Sequence, residues 1–116
     1  MLGNEKENKK FELIDEAESL IRINKYDEAR GKYEKSLEYG FEGYYFLGNM
    51  YKFLNNDLEA MKYYENADKK ANMGMAAYKI GNINEEENNK LEAKKWYQIG
   101  INSGNLLSLS SLGLLL

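Results

Sequence analysis

The fold of this protein is decided by residues 44–67, whose sequence is YYFLGNMYKFLNNDLEAMKYYENA. Here Gly48 is followed by Ala60, Tyr64 and Ala67, at intervals of twelve, four and three residues. The same frame occurs 31 residues earlier and 33 residues later. The full set is Ala17, Ala29, Tyr33 and Ser36; Gly48, Ala60, Tyr64 and Ala67; and Gly81, Ala93, Tyr97 and Gly100. A period in the thirties with small residues at fixed positions is typical of stacked two-helix units.

The spacing of apolar residues predicts helices along almost the whole chain. Leu13, Ala17 and Leu20, for example, lie three and four residues apart, which is the period of a helix and not of a strand. Seven helices are predicted, at about residues 5–22, 26–39, 42–54, 57–70, 74–86, 90–102 and 106–116.

Asparagine and glycine mark the predicted helix ends, because the sequence has no proline. Asn24, Asn55 and Asn88 lie at equivalent points of three units, and asparagine tolerates the left-handed conformation that ends a helix. We expect Asp57 to cap the fourth helix. The whole chain, 1–116, is predicted to be one domain. Its repeats are expected at about 10–40, 41–72 and 73–104, with a partial repeat at 105–116.

Composition argues against several classes of function. The 116 residues include no cysteine and no histidine, so the sequence offers no disulfide and no usual general base for neutral pH. The net charge of −3 argues against a non-specific nucleic-acid binder, which is normally basic. We find no nucleophile–base set, metal cluster or phosphate loop. We therefore expect no enzyme activity, no cofactor and no metal site.

The sequence does not predict export or membrane insertion. The first residues, MLGNEKENKKFEL, lack the apolar stretch of a signal peptide. The apolar run at 106–116 is far shorter than the roughly 20 residues that span a bilayer. We expect a cytoplasmic protein, unless the chain belongs to a longer secreted one. Its lysine-, asparagine- and tyrosine-rich composition hints at an AT-rich bacterial genome.

The small residues of the frame predict where helices approach each other. Glycine in a helix interior costs roughly 0.5–1 kcal/mol relative to alanine, so Gly48 and Gly81 imply close packing that offsets this cost. We expect the first small position to contact the alanine of the second helix. The frame tyrosines should fill the space between units. The residues four before the first small position are also predicted to be core: Leu13, Tyr44, Ala77 and Leu109.

These columns resemble the tetratricopeptide repeat and the related Sel-1-like repeat. The second unit carries the tetratricopeptide pattern as Tyr44, Leu47, Gly48, Tyr51, Ala60, Tyr64 and Ala67. The third carries the Sel-1-like pattern A-x-x-W-Y as Ala93, Trp96 and Tyr97. The tetratricopeptide proline is missing. The resemblance implies an all-α, right-handed solenoid of antiparallel helix pairs, with three repeats and a C-terminal helix.

In both families the first helices line a concave groove that commonly binds a peptide or a partner helix. The resemblance places six residues of the second and third units there: Tyr45, Asn49, Lys52, Tyr78, Asn82 and Glu85. Asparagine can both donate to and accept from an extended peptide backbone. Tyrosine adds a flat apolar face. Alternatively, all six are ordinary solvent-facing residues of repeat helices, with half-buried tyrosines.

The first unit holds Ile14 and Glu18 at the corresponding places. We therefore do not predict the clamp of lysine and asparagine side chains that some tetratricopeptide domains use to bind a terminal carboxylate.

Other conspicuous residues are predicted to be structural. The run Glu85–Glu87 is expected to be a solvated helix end, and Trp96 to pack between helices. The lysine pairs, including Lys9–Lys10, are expected to be solvated.

The leucine-rich end of the chain suggests a second contact surface. Gly113 begins a fourth copy of the frame, and Leu109, Leu112 and Leu116 are expected to continue the core columns. Leu107, Leu114 and Leu115 would then remain outside. An exposed leucine patch marks a contact surface, so we expect self-association or a longer native chain, and not a terminal cap on a monomer.

The sequence therefore predicts a protein–protein interaction module that binds a peptide or helix in its groove. The alternative is a self-assembling scaffold that associates through its C-terminal helix. The partner is expected to be a protein or peptide, with no nucleic acid and no membrane involved.

Overall fold

Seven α-helices joined by short turns make up the computed structural model of this protein, which describes the backbone of residues 2–116 and the side chains of residues 5–116. They are α1 (Leu2–Arg22), α2 (Tyr26–Ser36), α3 (Gly43–Phe53), α4 (Asp57–Ala71), α5 (Gly74–Glu86), α6 (Lys90–Asn102) and α7 (Leu106–Leu115). Helix is the only regular secondary structure of residues 2–116. The all-α prediction and the seven predicted helices are confirmed. Among the described helices, none is long and apolar enough to cross a membrane.

As predicted, an asparagine in the left-handed conformation lies between the two helices of each pair, but the predicted cap of α4 is wrong. Asn24, Asn55 and Asn88, between the two helices of each pair, have positive φ angles of 62°, 59° and 63°. The prediction that Asp57 caps α4 is wrong, because Asp57 is the first residue inside that helix. The cap is Asn56, whose side-chain oxygen accepts a hydrogen bond from the backbone N–H three residues on, at 3.3 Å.

The helices pack in chain order, with the most extensive contacts within α1–α2, α3–α4 and α5–α6. Two apolar clusters connect neighbouring pairs. The first joins α1 and α2 to α3 and consists of Ile14, Ala17, Ala29, Tyr33, Leu47 and Met50. The second joins α4 to α5 and consists of Ala60, Tyr64, Ala67, Ala76, Ile80 and Ile83. Since each cluster crosses a boundary between pairs, no pair holds a complete core alone.

Every residue of the three complete frames is buried. The glycine in the first helix of a pair lies beneath the tyrosine of the second. A Cβ atom built on Gly48 would lie 2.5 Å from ring atoms of Tyr64, and one built on Gly81 would lie 2.5 Å from Cδ1 of Tyr97. Gly48 and Gly81 therefore lie where the two helices of a pair approach each other, as predicted. The side chain nearest to each glycine is the frame tyrosine of the second helix, and not the frame alanine that the sequence predicted.

A further set of small residues, which was not predicted from the sequence, lies where one pair of helices contacts the next. It lies five residues before the first small position and is formed by Gly43, Ala76 and Ser108, all buried. Each lies against the last small residue of the preceding frame: Gly43 against Ser36, Ala76 in one cluster with Ala67, and Ser108 against Gly100. Helix α7 therefore docks on α6 as α3 docks on α2.

The outer side of α7 departs from the prediction. Leu109 and Leu116, expected in the core, are 55% and 89% exposed, and Gly113 is exposed as well. In the second and third pairs a second helix covers the equivalent face. Within residues 2–116, α7 contacts α6 and α5, but no following helix completes a pair with it, so the outer leucines have no apolar surface to bury against.

Lys10 is buried, although the pair Lys9–Lys10 was predicted to be solvated. Lys10 is 3% exposed, and its ammonium lies 2.9 Å from the carboxylate of Glu42 and 3.2 Å from that of Glu7. Burial alone lowers the pKa of Lys10, but the two carboxylates outweigh it and the pKa is raised. Burial would raise the pKa of Glu42, but Lys10 lowers it overall. This ion pair ties α1 to the start of α3.

Candidate functional site

Two cavities lie between the first helices of neighbouring pairs. The first has a volume of about 260 Å³, lies between α1 and α3, and is lined by Glu18, Ile21, Tyr33, Phe46, Asn49, Met50 and Phe53. The second has about 110 Å³, lies between α3 and α5, and is lined by Lys52, Tyr64, Lys79, Asn82, Ile83 and Glu86. Three of the predicted groove residues, Asn49, Lys52 and Asn82, are among these. We call the surface that holds both cavities the groove.

Asn49 and Asn82 make the same contact in consecutive pairs. The hydroxyl of Tyr64 donates to Oδ1 of Asn49 at 2.6 Å, and the hydroxyl of Tyr97 lies 2.8 Å from Oδ1 of Asn82. Burial raises the pKa of both tyrosines above its ordinary value, so the hydroxyls keep their protons near neutral pH. Asn49 thus satisfies a hydroxyl that would otherwise be buried without a partner, and Asn82 offers the equivalent acceptor to Tyr97.

Glu85 and Lys52 are also engaged within the protein. The hydroxyl of Tyr97 lies 2.6 Å from Oε1 of Glu85, and because it carries one proton, it donates to Glu85 or Asn82 at any one time. The ammonium of Lys52 lies 2.8 Å from Glu86 and 3.2 Å from Asp57. The hydrogen bond to Glu86 is the main reason that the pKa of Lys52 is raised. Any ligand at these two side chains competes with contacts that already exist.

Tyr45 and Tyr78 are half-buried and line neither cavity. The ring of Tyr45 packs 5.9 Å from that of Tyr64, and the ring of Tyr78 packs 6.0 Å from that of Tyr97. These centroid distances are typical of stabilising aromatic pairs. Each of the two tyrosines packs against the frame tyrosine of its own pair. This agrees with the alternative interpretation of the sequence, in which they are half-buried residues of ordinary repeat helices.

The sequence reading missed Phe46, Phe53 and Lys79 as groove residues. Phe46 and Lys79 lie three residues before Asn49 and Asn82, and Phe53 lies four residues after Asn49. Residues three and four apart share a helix face, so this spacing was the available signal. Phe53 is 68% exposed, which is unusual for a large aromatic side chain.

The first pair of helices differs from the other two in the residue that follows the first small position of the frame. Glu18 occupies the place that asparagine occupies in the second and third pairs. Burial, with a contribution from the Glu18 charge, raises the pKa of Tyr33 to about 12. Among the hydrogen bonds of residues 5–116, none involves the hydroxyl of Tyr33, although Tyr64 and Tyr97 each bond the asparagine of their pair.

The leucines proposed for self-association differ in exposure. Leu107 and Leu114 are 49% and 87% exposed, whereas Leu115 is half-buried. Leu114 directly follows Gly113, as Asn49 and Asn82 follow their glycines. Leu114 therefore has the same position in the repeat as the two asparagines of the groove.

Within the described side chains, no group of carboxylates is placed to hold a metal ion. No protein-family model matches this chain. A search of the curated proteins likewise finds no significant match. The geometry of the groove and of α7 is therefore the basis for assigning a function.

Proposed function

We propose that this protein is a helical-repeat solenoid of the tetratricopeptide or Sel-1-like kind, which binds an extended segment of another protein in the groove along α1, α3 and α5. The overall dimensions support the solenoid, because the molecule measures 45 × 33 × 17 Å. A thickness of 17 Å suits two layers of helices whose axes lie roughly 8–10 Å apart. The sequential packing of the helices also fits, because solenoid repeats contact only their neighbours.

The observation that carries the binding proposal is the repeated presentation of an amide. Oδ1 of Asn49 accepts from Tyr64, and Oδ1 of Asn82 lies 2.8 Å from the Tyr97 hydroxyl, so in both residues Oδ1 faces the tyrosine and Nδ2 is left for another acceptor. Within residues 5–116, neither Nδ2 group donates to a protein acceptor. Two such donors on neighbouring helices suit two carbonyl groups of an extended peptide, which has donors and acceptors along its whole length.

The proposal is tested by replacing the donors without removing the acceptors. In the double variant Asn49→Asp with Asn82→Asp, each side chain keeps its size and can still accept from tyrosine, but loses its amide. Random decapeptides displayed on phage are selected on the wild-type protein. The enriched peptides are then synthesised with norleucine in place of any lysine or arginine, so that the two new carboxylates do not attract them, and are measured against the variant. We expect at least about tenfold weaker binding, since each lost hydrogen bond is worth roughly 0.5–1.5 kcal/mol.

The control for that experiment carries the same change of charge outside the groove. Asn8→Asp with Asn102→Asp alters two exposed asparagines on α1 and α6. It should bind the selected peptides as tightly as the wild type. Retained binding by the groove variant, with an unchanged circular dichroism spectrum, contradicts the proposal. So does a selection in which the wild-type protein enriches no peptide.

A second candidate function is assembly with a second copy through α7. The observation in its favour is that Leu107, Leu114 and Leu116 are 49%, 87% and 89% exposed. No charged side chain follows Lys95 in the sequence, so two α7 helices can meet without like-charge repulsion between side chains. Six of the ten residues of α7 are leucine, and a helix with so much apolar surface is normally buried.

Sedimentation velocity at several protein concentrations tests this assembly. We expect the average mass to rise with concentration for the wild type and not for Leu114→Lys. Leu58→Lys is the matched control, because Leu58 is 77% exposed on α4 and lies outside α7. A wild-type monomer at every concentration, or equal association by Leu114→Lys, rules out this candidate.

A further inference from the structure

The cavity between α1 and α3 contains polar groups that bond to no other side chain of the fold. Tyr33 is 2% exposed and lines this cavity, and its hydroxyl is absent from the side-chain hydrogen bonds of residues 5–116. The hydroxyl is not among the fully enclosed atoms without a partner, so its oxygen stays accessible from the cavity. In the other two pairs the equivalent hydroxyl bonds to Asn49 or Asn82. Here the corresponding residue is Glu18, a carboxylate that accepts but cannot donate when ionised.

The carboxylate of Glu18 is also without a cationic partner in the described structure. The ion pairs found among residues 5–116 use Glu7, Glu16, Glu34, Glu42, Asp57, Glu59, Glu86 and Glu92. Glu18 is absent from that set, although it lines an otherwise largely apolar cavity. Glu18 is half-buried at the wall of this cavity, so its charge faces the cavity and is free to pair with a cationic group of a ligand.

The walls of the cavity suit a long side chain with an apolar stem. Ile21, Phe46, Met50 and Phe53 line it, and Phe53 remains 68% exposed at the rim. The volume of about 260 Å³ is below the roughly 300–1,000 Å³ of typical small-molecule pockets. A single side chain of a bound peptide therefore fits this space better than a separate ligand.

We propose that this cavity is a specificity pocket for a lysine or arginine side chain of the segment bound in the groove. The methylene stem lies against Phe46 and Phe53, and the cationic group bonds Glu18. Lysine and arginine commonly bury their stems on apolar surface in this way. A cation near an aromatic ring gains further attraction. The inference rests on the proposed peptide-binding function and adds the chemical class of residue that the partner must carry.

The hydroxyl of Tyr33 completes the acceptor set of this pocket. Burial raises the pKa of Tyr33 to about 12, so at neutral pH the group is a hydroxyl whose oxygen can accept a hydrogen bond. An ammonium brings three donors and a guanidinium five, which is more than Glu18 alone requires. An acidic peptide residue meets repulsion from Glu18, and an aliphatic one leaves the carboxylate unpaired.

The test compares peptides selected by three forms of the protein. Random decapeptides displayed on phage are selected on the wild type, on Glu18→Gln and on Glu12→Gln. Glu12→Gln is the matched control, because Glu12 is an exposed residue of the same helix that does not line the cavity. We expect the wild type and the control to enrich lysine or arginine at one fixed position. Glu18→Gln should still enrich peptides but should lose that preference.

A synthetic peptide from the wild-type selection gives the quantitative measurement. Replacing its fixed basic residue by norleucine keeps the stem and removes the charge. By fluorescence anisotropy we expect this peptide to bind the wild type about tenfold more weakly, and Glu18→Gln with little difference from the parent peptide. Phe53→Ala, at an exposed position, should weaken both peptides.

The outcomes separate the pocket from the groove. If the wild type enriches peptides without a fixed basic residue, or if Glu18→Gln keeps the preference, the pocket assignment is wrong and the groove proposal stands. If the wild type enriches no peptide at all, both are overturned.

Discussion

The ring of Tyr64 occupies the space where Gly48 has no side chain, with 2.5 Å between the ring and a Cβ atom built on the glycine. The ring is 1% exposed, and its hydroxyl bonds Asn49, the residue next to that glycine. One aromatic side chain thus sets both the distance between α3 and α4 and the orientation of a groove amide. Packing and the candidate binding site depend on the same residue.

Gly48→Ala should destabilise the protein although alanine is the better helix former. The added methyl group meets a buried ring, and overpacking typically costs about 1–3 kcal/mol. Gly31→Ala is the control, because nothing lies within 4 Å of a Cβ at Gly31, in the middle of α2. We expect Gly31→Ala to stabilise by about 0.5–1 kcal/mol. Urea denaturation measures both, and equal effects of the two substitutions contradict this account.

Tyr64→Phe should cost more stability than Tyr33→Phe. Both tyrosines are buried frame residues, but only Tyr64 donates to an asparagine, at 2.6 Å. Loss of that bond leaves Oδ1 of Asn49 unpaired and should lower the free energy of unfolding by about 0.5–1.5 kcal/mol. Tyr33→Phe removes a hydroxyl that has no partner among residues 5–116, so little change is expected. Thermal denaturation followed by circular dichroism distinguishes the two.

The ion pair of Lys10 and Glu42 should make stability fall at both ends of the pH scale. The pKa of Glu42 is lowered from its ordinary 4.5, so its stabilisation is present above pH 4.5 and is lost as the pH falls through the lowered value. The pKa of Lys10 is raised from 10.5, so its stabilisation is present below pH 10.5 and is lost as the pH rises through the raised value.

Lys10→Met tests this ion pair. At pH 7 we expect it to lower the free energy of unfolding by about 1–3 kcal/mol, less than for a fully buried pair because the Glu42 side chain is 37% exposed. The deficit should shrink in acid, where Glu42 is protonated in both proteins. Lys95→Met is the control, since Lys95 and its partner Glu92 are both solvent-exposed. A deficit that does not change with pH argues for lost packing and against lost charge.

Gly100→Ala should release α7 from α6. A Cβ atom at Gly100 collides with the side chain of Ser108, the buried contact between these helices. Adding Ser108→Gly removes the collision and should restore part of the docking, which a double-mutant cycle measures. Limited proteolysis reads out the state of α7. If Gly100→Ala is cut in α7 no faster than the wild type, the contact does not hold the helix.

The helices were predictable from local sequence, but the exact residue at which a helix is capped was not. Asn55 follows the end of α3 with a positive φ, as expected from the tolerance of asparagine for left-handed backbone. The cap of α4 is Asn56 and not the predicted Asp57. Asparagine and aspartate are about equally good caps, so the sequence alone does not decide between two adjacent ones. Lys10 was misjudged because its partner Glu42 is remote in the chain.

The resemblance to the repeat families assigned six residues to the groove, and three of them, Asn49, Lys52 and Asn82, line the two cavities. Their role in binding stays a prediction. Phe46 and Lys79 share a helix face with Asn49 and Asn82 but were not singled out. The bonds from Tyr64 and Tyr97 to these asparagines join different helices, so local pattern did not reveal them.

By itself, the sequence determined the helices and the buried columns of the repeat, because helix period and asparagine turns act over a few residues. The tertiary structure decided which side chains satisfy one another across helices. It assigned Lys10 to Glu42, placed Tyr64 on Gly48 and Asn49, and left the hydroxyl of Tyr33 without a partner among the described residues. Burial and hydrogen bonding between helices depend on distances that only the packed chain defines, and those distances separate structural residues from residues that remain available to a ligand.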